Sequence, residues 1–266
     1  MMTIDCVVFA GGVPQTEDPL YAYTQGKPKA LLDIAGKPML QWVLDALTQA
    51  SNIGRIIIVG FEANDSFASP KIAAYVPDQK ALLANIIAGV DRLADIAPEA
   101  LYLLACTADI PTITPEIVEG LVTHWESLRA DTDADLYYHI VPRALMEARF
   151  PSSNRSYVHL VEGDFAGADI HIFAPHIAHT HQELWNALLS DRKNALKQAA
   201  RLGGDFFLKL FMRRLSIAEM ERRVPERWGL KVKAVPVEHA EVGMDVDKPF
   251  QLDICKQELA RRKGQR

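Results

Sequence analysis

The sequence predicts an α/β chain: a mixed, mostly parallel sheet sandwiched by helices, with a helical insertion near the C-terminus. Two patterns carry that expectation. Short, apolar, β-branched runs alternate with longer segments of helical periodicity over roughly the first 130 residues, as expected of a parallel sheet buried on both faces. The first run, Val7-Val8-Phe9, then breaks at paired glycines, Gly11-Gly12, so that a strand gives way to a loop. Sheets of this kind bind ligands at the carboxyl ends of their strands, so those loops are where the chemistry is sought.

In chain order, the patterns give a strand near 4–9, a helix near 38–50, a strand at 55–60, a helix near 79–94, a strand at 101–105 and a helix near 114–129. The rhythm then changes. Residues 134–141 read as another strand, 157–161 as an edge strand and 170–173 as a third. Residues 182–223 read as a helical lobe, with Leu184, Trp185, Leu188 and Leu189 at helical spacing and a second segment from Phe206 to Met212. Its charges are mixed in sign, which fits a packed lobe better than a membrane-surface element. A strand at 231–237 and a helix beginning after Lys248-Pro249 complete the chain, with no internal repeat or low-complexity linker.

With 266 residues, 49% hydrophobic and 24% charged, the chain can bury a large core, and disorder is excluded. A net charge of −5, with Arg261-Arg262-Lys263 as the basic run, speaks against nucleic acid as a partner. That run is most simply a solvated helix end. Cys6, Cys106 and Cys255 lie far apart in apolar or helical settings, which indicates neither disulfides nor a zinc site and fits a reducing compartment. The chain enters a strand almost at once, and no apolar stretch approaches the roughly 20 residues of a membrane span, so a soluble, cytoplasmic protein is expected. His171, His176, His179 and His181 straddle Pro175 without an established ligand spacing and are read as packing and surface residues.

Gly11 and Gly12 leave bare backbone N–H groups able to cradle phosphate oxygens, although a tight turn explains the pair alone equally well. A second element shifts the balance. Pro28-Lys29-Ala30-Leu31-Leu32 with Gly36-Lys37-Pro38-Met39 brings a lysine back to the same point. Together with Val7-Val8-Phe9-Ala10-Gly11-Gly12 it resembles the nucleotidyltransferase superfamily that includes sugar-nucleotide pyrophosphorylases and molybdenum-cofactor guanylyltransferases. The resemblance implies a Rossmann-like, glycosyltransferase-A-like fold. It also implies an NTP held by Ala10, Gly11, Gly12 and the Pro-Lys lysine, here Lys29. One feature departs from the family: where its glycines are usually followed by an arginine, Val13-Pro14-Gln15-Thr16-Glu17-Asp18-Pro19 intervenes and the first arginine is Arg55. Lys27 and Lys37 are the candidates to replace it.

Transfer from an NTP normally needs Mg²⁺, held by one or two carboxylates plus phosphates and water. Asp109 follows an apolar strand in Asp109-Ile110-Pro111 and matches the family's metal-binding Asp-x-Pro, where the bland reading is a turn before proline. Asp245-Val246-Asp247-Lys248-Pro249-Phe250-Gln251-Leu252 resembles the family's Asp-x-Asp-x-Pro-x-Asp-Leu segment and offers Asp247 as the second ligand, with Asp245 as alternative or supporting partner. Asp247 also suits a helix cap, which does not exclude the metal role. By resemblance Asn85 recognises base or ribose, against the bland reading of a surface asparagine.

Arg155-Ser156-Tyr157 and the segment ending Gly167-Ala168-Asp169 resemble the acceptor-pocket region, where Asp169 stands in place of an asparagine. A carboxylate accepts hydrogen bonds only, so it favours an acceptor rich in hydroxyls or amines, with Arg155 gripping a phosphate or carboxylate. Asp191-Arg192-Lys193-Asn194 resembles a basic element that approaches the product phosphates, with Lys193 at the acceptor, or else is a solvated helix face. The expectation is one domain over 1–266, with a nucleotide-binding half at 1–130 and an acceptor-binding half at 131–266. It is an enzyme that moves an NMP from an NTP to a small phosphorylated acceptor, with Lys29 and Asp109 as catalytic residues. The alternative is a weak or inactive nucleotide-binding regulator on the same fold, and a homodimer is left open.

Overall fold

The computed structural model describes residues 3–63, 67–180, 182, 185 and 203–264. Its sheet is built around β1 (Ile4–Phe9), flanked in parallel by β4 (Ile53–Val59) and β6 (Leu103–Thr107), with β5 (Ile72–Val76) parallel outside β4, while β2 (Asp33–Ile34) and β3 (Lys37–Pro38) form a separate antiparallel pair. On the far side of β6 lies β10 (Ile170–Phe173), antiparallel both to β6 and to β7 (Leu136–Pro142). One edge of β7 continues against the antiparallel pair β9 (Gly163–Gly167) and β8 (Val158–Leu160), and β11 (Val232–Pro236) runs parallel to β7. The sheet is therefore mixed and mostly parallel, as expected. Strands β4 and β6 sit on opposite sides of β1, so the chain reverses direction across the sheet there and a crevice opens at the carboxyl ends of β1 and β6.

The apolar runs become strands because both sheet faces are covered. One face packs against α2 (Met39–Gln49), α4 (Pro115–Asp131), α5 (Arg143–Arg149) and α8 (Pro249–Gly264), with Val43, Leu47, Val122, Met146 and Leu252 in the core. The other face packs against α3 (Leu82–Ile96), through Val90 and Leu93. In the expected helical lobe, α6 (Gly204–Phe211) and α7 (Ile217–Trp228) are present, and Phe206, Leu210 and Leu215 close over Leu160 and Phe165. Leu184, Leu188, Leu189 and the 191–194 element with Lys193 lie outside the described residues. Trp185 donates its indole N–H to the Ile177 carbonyl at 2.8 Å. No helix among the described residues is long and apolar enough to cross a membrane.

Several elements differ from the sequence expectation: α5 and β9 are additional, and α7 runs past residue 223 to Trp228. Strand β5 is additional: its Ala73-Ala74 centre lacks the β-branched residues that mark the other parallel strands, and pairing with β4 creates it. Strand β6 is shifted two residues towards the C-terminus, because Leu101 is exposed while Cys106 and Thr107 pair with Val8 and Phe9. Where β4 ends, Gly60 (φ +113°) lies so close that a Cβ there would sit 2.3 Å from the Gly11 nitrogen, so only glycine lets β4 support the glycine loop.

An ionic cluster around buried Glu258 fixes α8. Glu258 accepts hydrogen bonds from Arg149 (2.6 Å), Arg262 (2.9 Å) and Arg261 (3.1 Å), Arg149 also reaches Glu241 (3.0 Å), and Arg262 donates to the Thr112 carbonyl (2.8 Å). Burial opposes ionisation of Glu258, but these arginines outweigh it and hold its carboxyl down to about 2. A depressed folded value means that the stabilisation is complete above the ordinary 4.5 and is lost as pH falls from there towards 2. Glu258→Gln is therefore expected to cost about 1–2 kcal/mol near neutral pH by removing the carboxylate that three partly exposed guanidinium groups share, and to flatten the acid limb of the stability curve. Denaturant titrations at pH 7 and pH 3 test this; the same loss at both values would sink the linkage.

Candidate active site

The crevice is assembled by backbone hydrogen bonds that cross between strand ends. Ala10 N–H donates to the Val59 carbonyl at 2.8 Å and Ala108 N–H to the Phe9 carbonyl at 3.0 Å, so the glycine loop and the turn bearing Asp109 leave neighbouring strands side by side. Gly12 has φ +115° and open space around it. Its carbonyl accepts the Lys29 N–H at 3.2 Å, which folds the Pro28 segment back onto the glycine loop. A 3-10 turn, Lys29–Leu31, then buries Ala30 and leaves the Lys29 side chain facing the end of β6.

There the sequence-predicted residues meet. Lys29 Nζ lies 2.5 Å from Asp109 Oδ2 and 2.9 Å from Asp247 Oδ1, joining residues 80 and 218 positions away. Thr107 donates its hydroxyl to Asp109 Oδ1 at 2.6 Å, and the Asp109 carbonyl accepts the Val246 N–H at 2.9 Å. Asp247 N–H donates at 2.9 Å to Gln251, whose amide reaches the Ser153 carbonyl at 3.3 Å. Burial works against the Lys29 ammonium, but the charges of Asp109 and Asp247 outweigh it and hold the group above the ordinary lysine range. Two carboxylates converging on one cation form a donor set suited to a hard divalent ion. The described residues contain no group of three or more His, Cys, Asp or Glu side chains able to hold a metal, so any ion here would rest on these two carboxylates.

Asp169 borders the same crevice. Its N–H donates to the Val242 carbonyl at 2.8 Å, and its own carbonyl accepts the Thr107 N–H at 3.0 Å. Burial pushes its carboxyl up to about 7, the Asp109 charge adds to this, and Arg155 and Lys29 oppose it. The Arg155 guanidinium pairs with Asp245, donates to the Gly167 carbonyl at 3.1 Å and lies 3.5 Å from Asp169 Oδ2. Its fork is thus committed to protein groups, and it ties the Asp245–Asp247 loop to the Gly167–Asp169 turn.

Asn85 is buried, and its carbonyl oxygen accepts the Gln79 N–H at 2.7 Å while its amide donates to Asp78 at 2.9 Å. A Cβ on Gly11 would lie 3.0 Å from Asp78 Oδ1, so Asp78 and Asn85 together form a wall against the glycine loop. Sequence reasoning passed over Asp78 and Thr107. The signal for Asp78 was the Pro77-Asp78-Gln79-Lys80 turn immediately before α3. Lys37, by contrast, pairs with Asp45 and lies 4.4 Å over the Trp42 ring, and Lys27 is exposed. Of the histidines, His171 stacks on Tyr138 with ring centres 4.2 Å apart and His179 meets Asp91 at 2.7 Å; His181 lies outside the described residues.

Over residues 6–205 the chain matches the family described as MobA-like NTP transferase domain. A 3-deoxy-manno-octulosonate cytidylyltransferase from Synechococcus elongatus is 32% identical over 110 residues, 40% of this chain and 44% of that protein. A molybdenum cofactor guanylyltransferase from Rhodopseudomonas palustris is 31% identical over 131 residues, 49% of this chain and 57% of that protein. The matched stretches thus span about half the length of these curated relatives. Among solved structures, a hypothetical transferase from Thermus thermophilus superposes with a TM-score of 0.77 at 32% identity, covering 94% of this chain and all of that one. A CMP:2-keto-3-deoxy-manno-octonic acid synthetase complexed with CTP shares the fold, with a TM-score of 0.55 at 17% identity over 98% of this chain and all of that one.

Proposed function

The chain belongs to the MobA-like NTP transferase domain family, and from that premise we propose that it is an Mg²⁺-dependent nucleotidyltransferase transferring an NMP from an NTP to a small phosphorylated acceptor. The observation that carries this reading is Lys29 held against both Asp109 and Asp247 at the carboxyl ends of the central strands. An acceptor phosphate oxygen attacks the α-phosphorus, the bond to the bridging oxygen breaks and pyrophosphate leaves. An acceptor that is already a phosphate needs no protein base. Asp109 and Asp247 would hold the cation, which would supply charge neutralisation at the phosphates.

The remaining work falls to this chain's own groups. Ala10, Gly11 and Gly12 present backbone N–H groups to the phosphates, and the Lys29 ammonium stabilises charge moving towards the leaving group. Thr107 orients the Asp109 carboxylate. Asn85 shapes the nucleoside wall through Asp78 and the 77–81 turn, and Asp169 accepts a hydrogen bond from an acceptor hydroxyl or amine. Arg155 serves this site as a positioning residue, holding the loops that carry Asp169 and Asp247. In this reading residues 1–130 bind nucleotide and 131–266 bind acceptor, with Lys193 assigned to product phosphates. Pyrophosphate release measured across the four NTPs, with pooled phosphorylated sugar, pterin and polyol acceptors, is expected to single out one nucleotide. Nucleotide binding without release in any combination would leave the regulator reading standing instead.

Residues 13–26 are expected to close over the nucleotide. They run from the glycine loop to the lysine segment, are largely exposed, and are anchored by buried Leu20 and Thr24 around the short helix α1 (Tyr21–Thr24). Chymotryptic cleavage at exposed Tyr23 should slow when Mg²⁺ and the correct NTP are added. Equal rates with every nucleotide would argue against a lid.

A further inference from the structure

The Lys29 ammonium stands where a metal ion would stand. It lies 2.5 Å from Asp109 Oδ2 and 2.9 Å from Asp247 Oδ1, oxygens of the two carboxylates assigned to the cation. A magnesium ion bound to the same pair needs oxygens at roughly 2.1 Å and a largely fixed geometry, and a second cation in contact with those oxygens would meet direct repulsion at contact distance. We propose that Lys29 is an internal competitor for the divalent metal: ammonium and metal exclude each other from the Asp109–Asp247 pair, and bound polyphosphate resolves the competition by drawing the ammonium away. The proposal rests on the nucleotidyltransferase reading above and adds an order to it, in which free metal binds poorly and metal enters with the nucleotide.

The local geometry permits the exchange without moving the backbone. Lys29 N–H is fastened to the Gly12 carbonyl, so the root of the side chain belongs to the loop whose amides are assigned to the phosphates, while its tip reaches the carboxylates. A four-carbon stem with rotatable bonds can serve both positions, as a planar guanidinium fork would not. The pair is also open to solvent on the Asp247 side, where the side chain is 40% exposed, so metal has access once the ammonium leaves. By linkage, whatever polyphosphate does for metal affinity, metal does for polyphosphate affinity.

The test uses Mn²⁺ alone, followed by the electron paramagnetic resonance of the free ion, on the full chain carrying Lys29, Lys29→Met or Lys29→Gln. Both variants are expected to bind Mn²⁺ at least about tenfold more tightly than the parent, and to show a larger rise in melting temperature as Mn²⁺ is added. Lys27→Met, which removes the same charge from an exposed position, should leave Mn²⁺ affinity unchanged, and a gain equal to that of Lys29→Met would reduce the effect to net charge and overturn the competition. Saturable binding of equal strength with and without Lys29, abolished by Asp109→Asn, also overturns the competition while keeping the metal site. Absence of Mn²⁺ binding in every variant overturns the metal site itself. Melting temperatures measured without metal verify that Lys29→Met and Lys29→Gln are folded, and the two neutral side chains differ enough in polarity that a shared gain reports the lost ammonium.

Discussion

Asp109→Asn is expected to lower Mg²⁺-dependent turnover by about two orders of magnitude or more, with the fold intact, because a neutral amide is a poor partner for a hard cation. The substitution is nearly isosteric, and the Asp109 carbonyl, which accepts the Val246 N–H, is untouched. What changes is the charge that faces Lys29 and the acceptor that receives the Thr107 hydroxyl. Asp247→Asn should be the milder lesion, since its side chain is 40% exposed against 18% for Asp109, and solvent compensates an exposed charge more readily. Turnover is measured alongside the melting temperature. Near-normal turnover in a folded Asp109→Asn protein would exclude the metal assignment.

The parts of this site that were legible in the sequence are those that depend on local pattern. Strands β1, β4 and β6 could be read because both their faces are buried, leaving unbroken apolar runs such as Ile56-Ile57-Ile58-Val59; β5 could not, because an alanine-centred edge strand owes its conformation to the neighbour it pairs with. The glycine loop, Lys29 and Asp109 were visible as residue types beside strand ends. Their convergence was implied by the family resemblance alone and not by any local pattern. The contact between Lys29 and Asp247 spans 218 positions, and the pairing of Arg155 with Asp245 spans 90, distances over which no periodicity carries information. Arg155 shows why this matters: composition says that a guanidinium can grip an anion, and only the fold says that the anion at hand is Asp245. Asn85 is similar, because its side chain turns back into the 77–81 turn instead of lying on an open helix face.

Lys29→Ala is expected to reduce kcat by about one to two orders of magnitude and kcat/KM by more, whereas Lys27→Ala and Lys37→Ala leave kcat near that of the parent. The asymmetry follows from placement. All three lysines lie near the glycine loop in sequence, and Lys27 and Lys37 are the candidates to replace the arginine that is missing there; in the fold, Lys37 is held by Asp45 and Trp42, Lys27 is exposed, and of the three only Lys29 reaches the carboxylates. A charge that acts on the departing pyrophosphate contributes more in the transition state than in the ground state, so its removal lowers kcat and does not merely raise KM. Steady-state kinetics of the three variants with one NTP decide the matter, and greater damage from Lys27→Ala or Lys37→Ala would transfer the phosphate role to that residue. The Mn²⁺ measurement sharpens the comparison, because loss of the Lys29 ammonium should tighten free-metal binding while slowing turnover. A residue that merely braced the fold would weaken both; opposite signs require a cation that occupies the metal's place until phosphate arrives and then works on the phosphate.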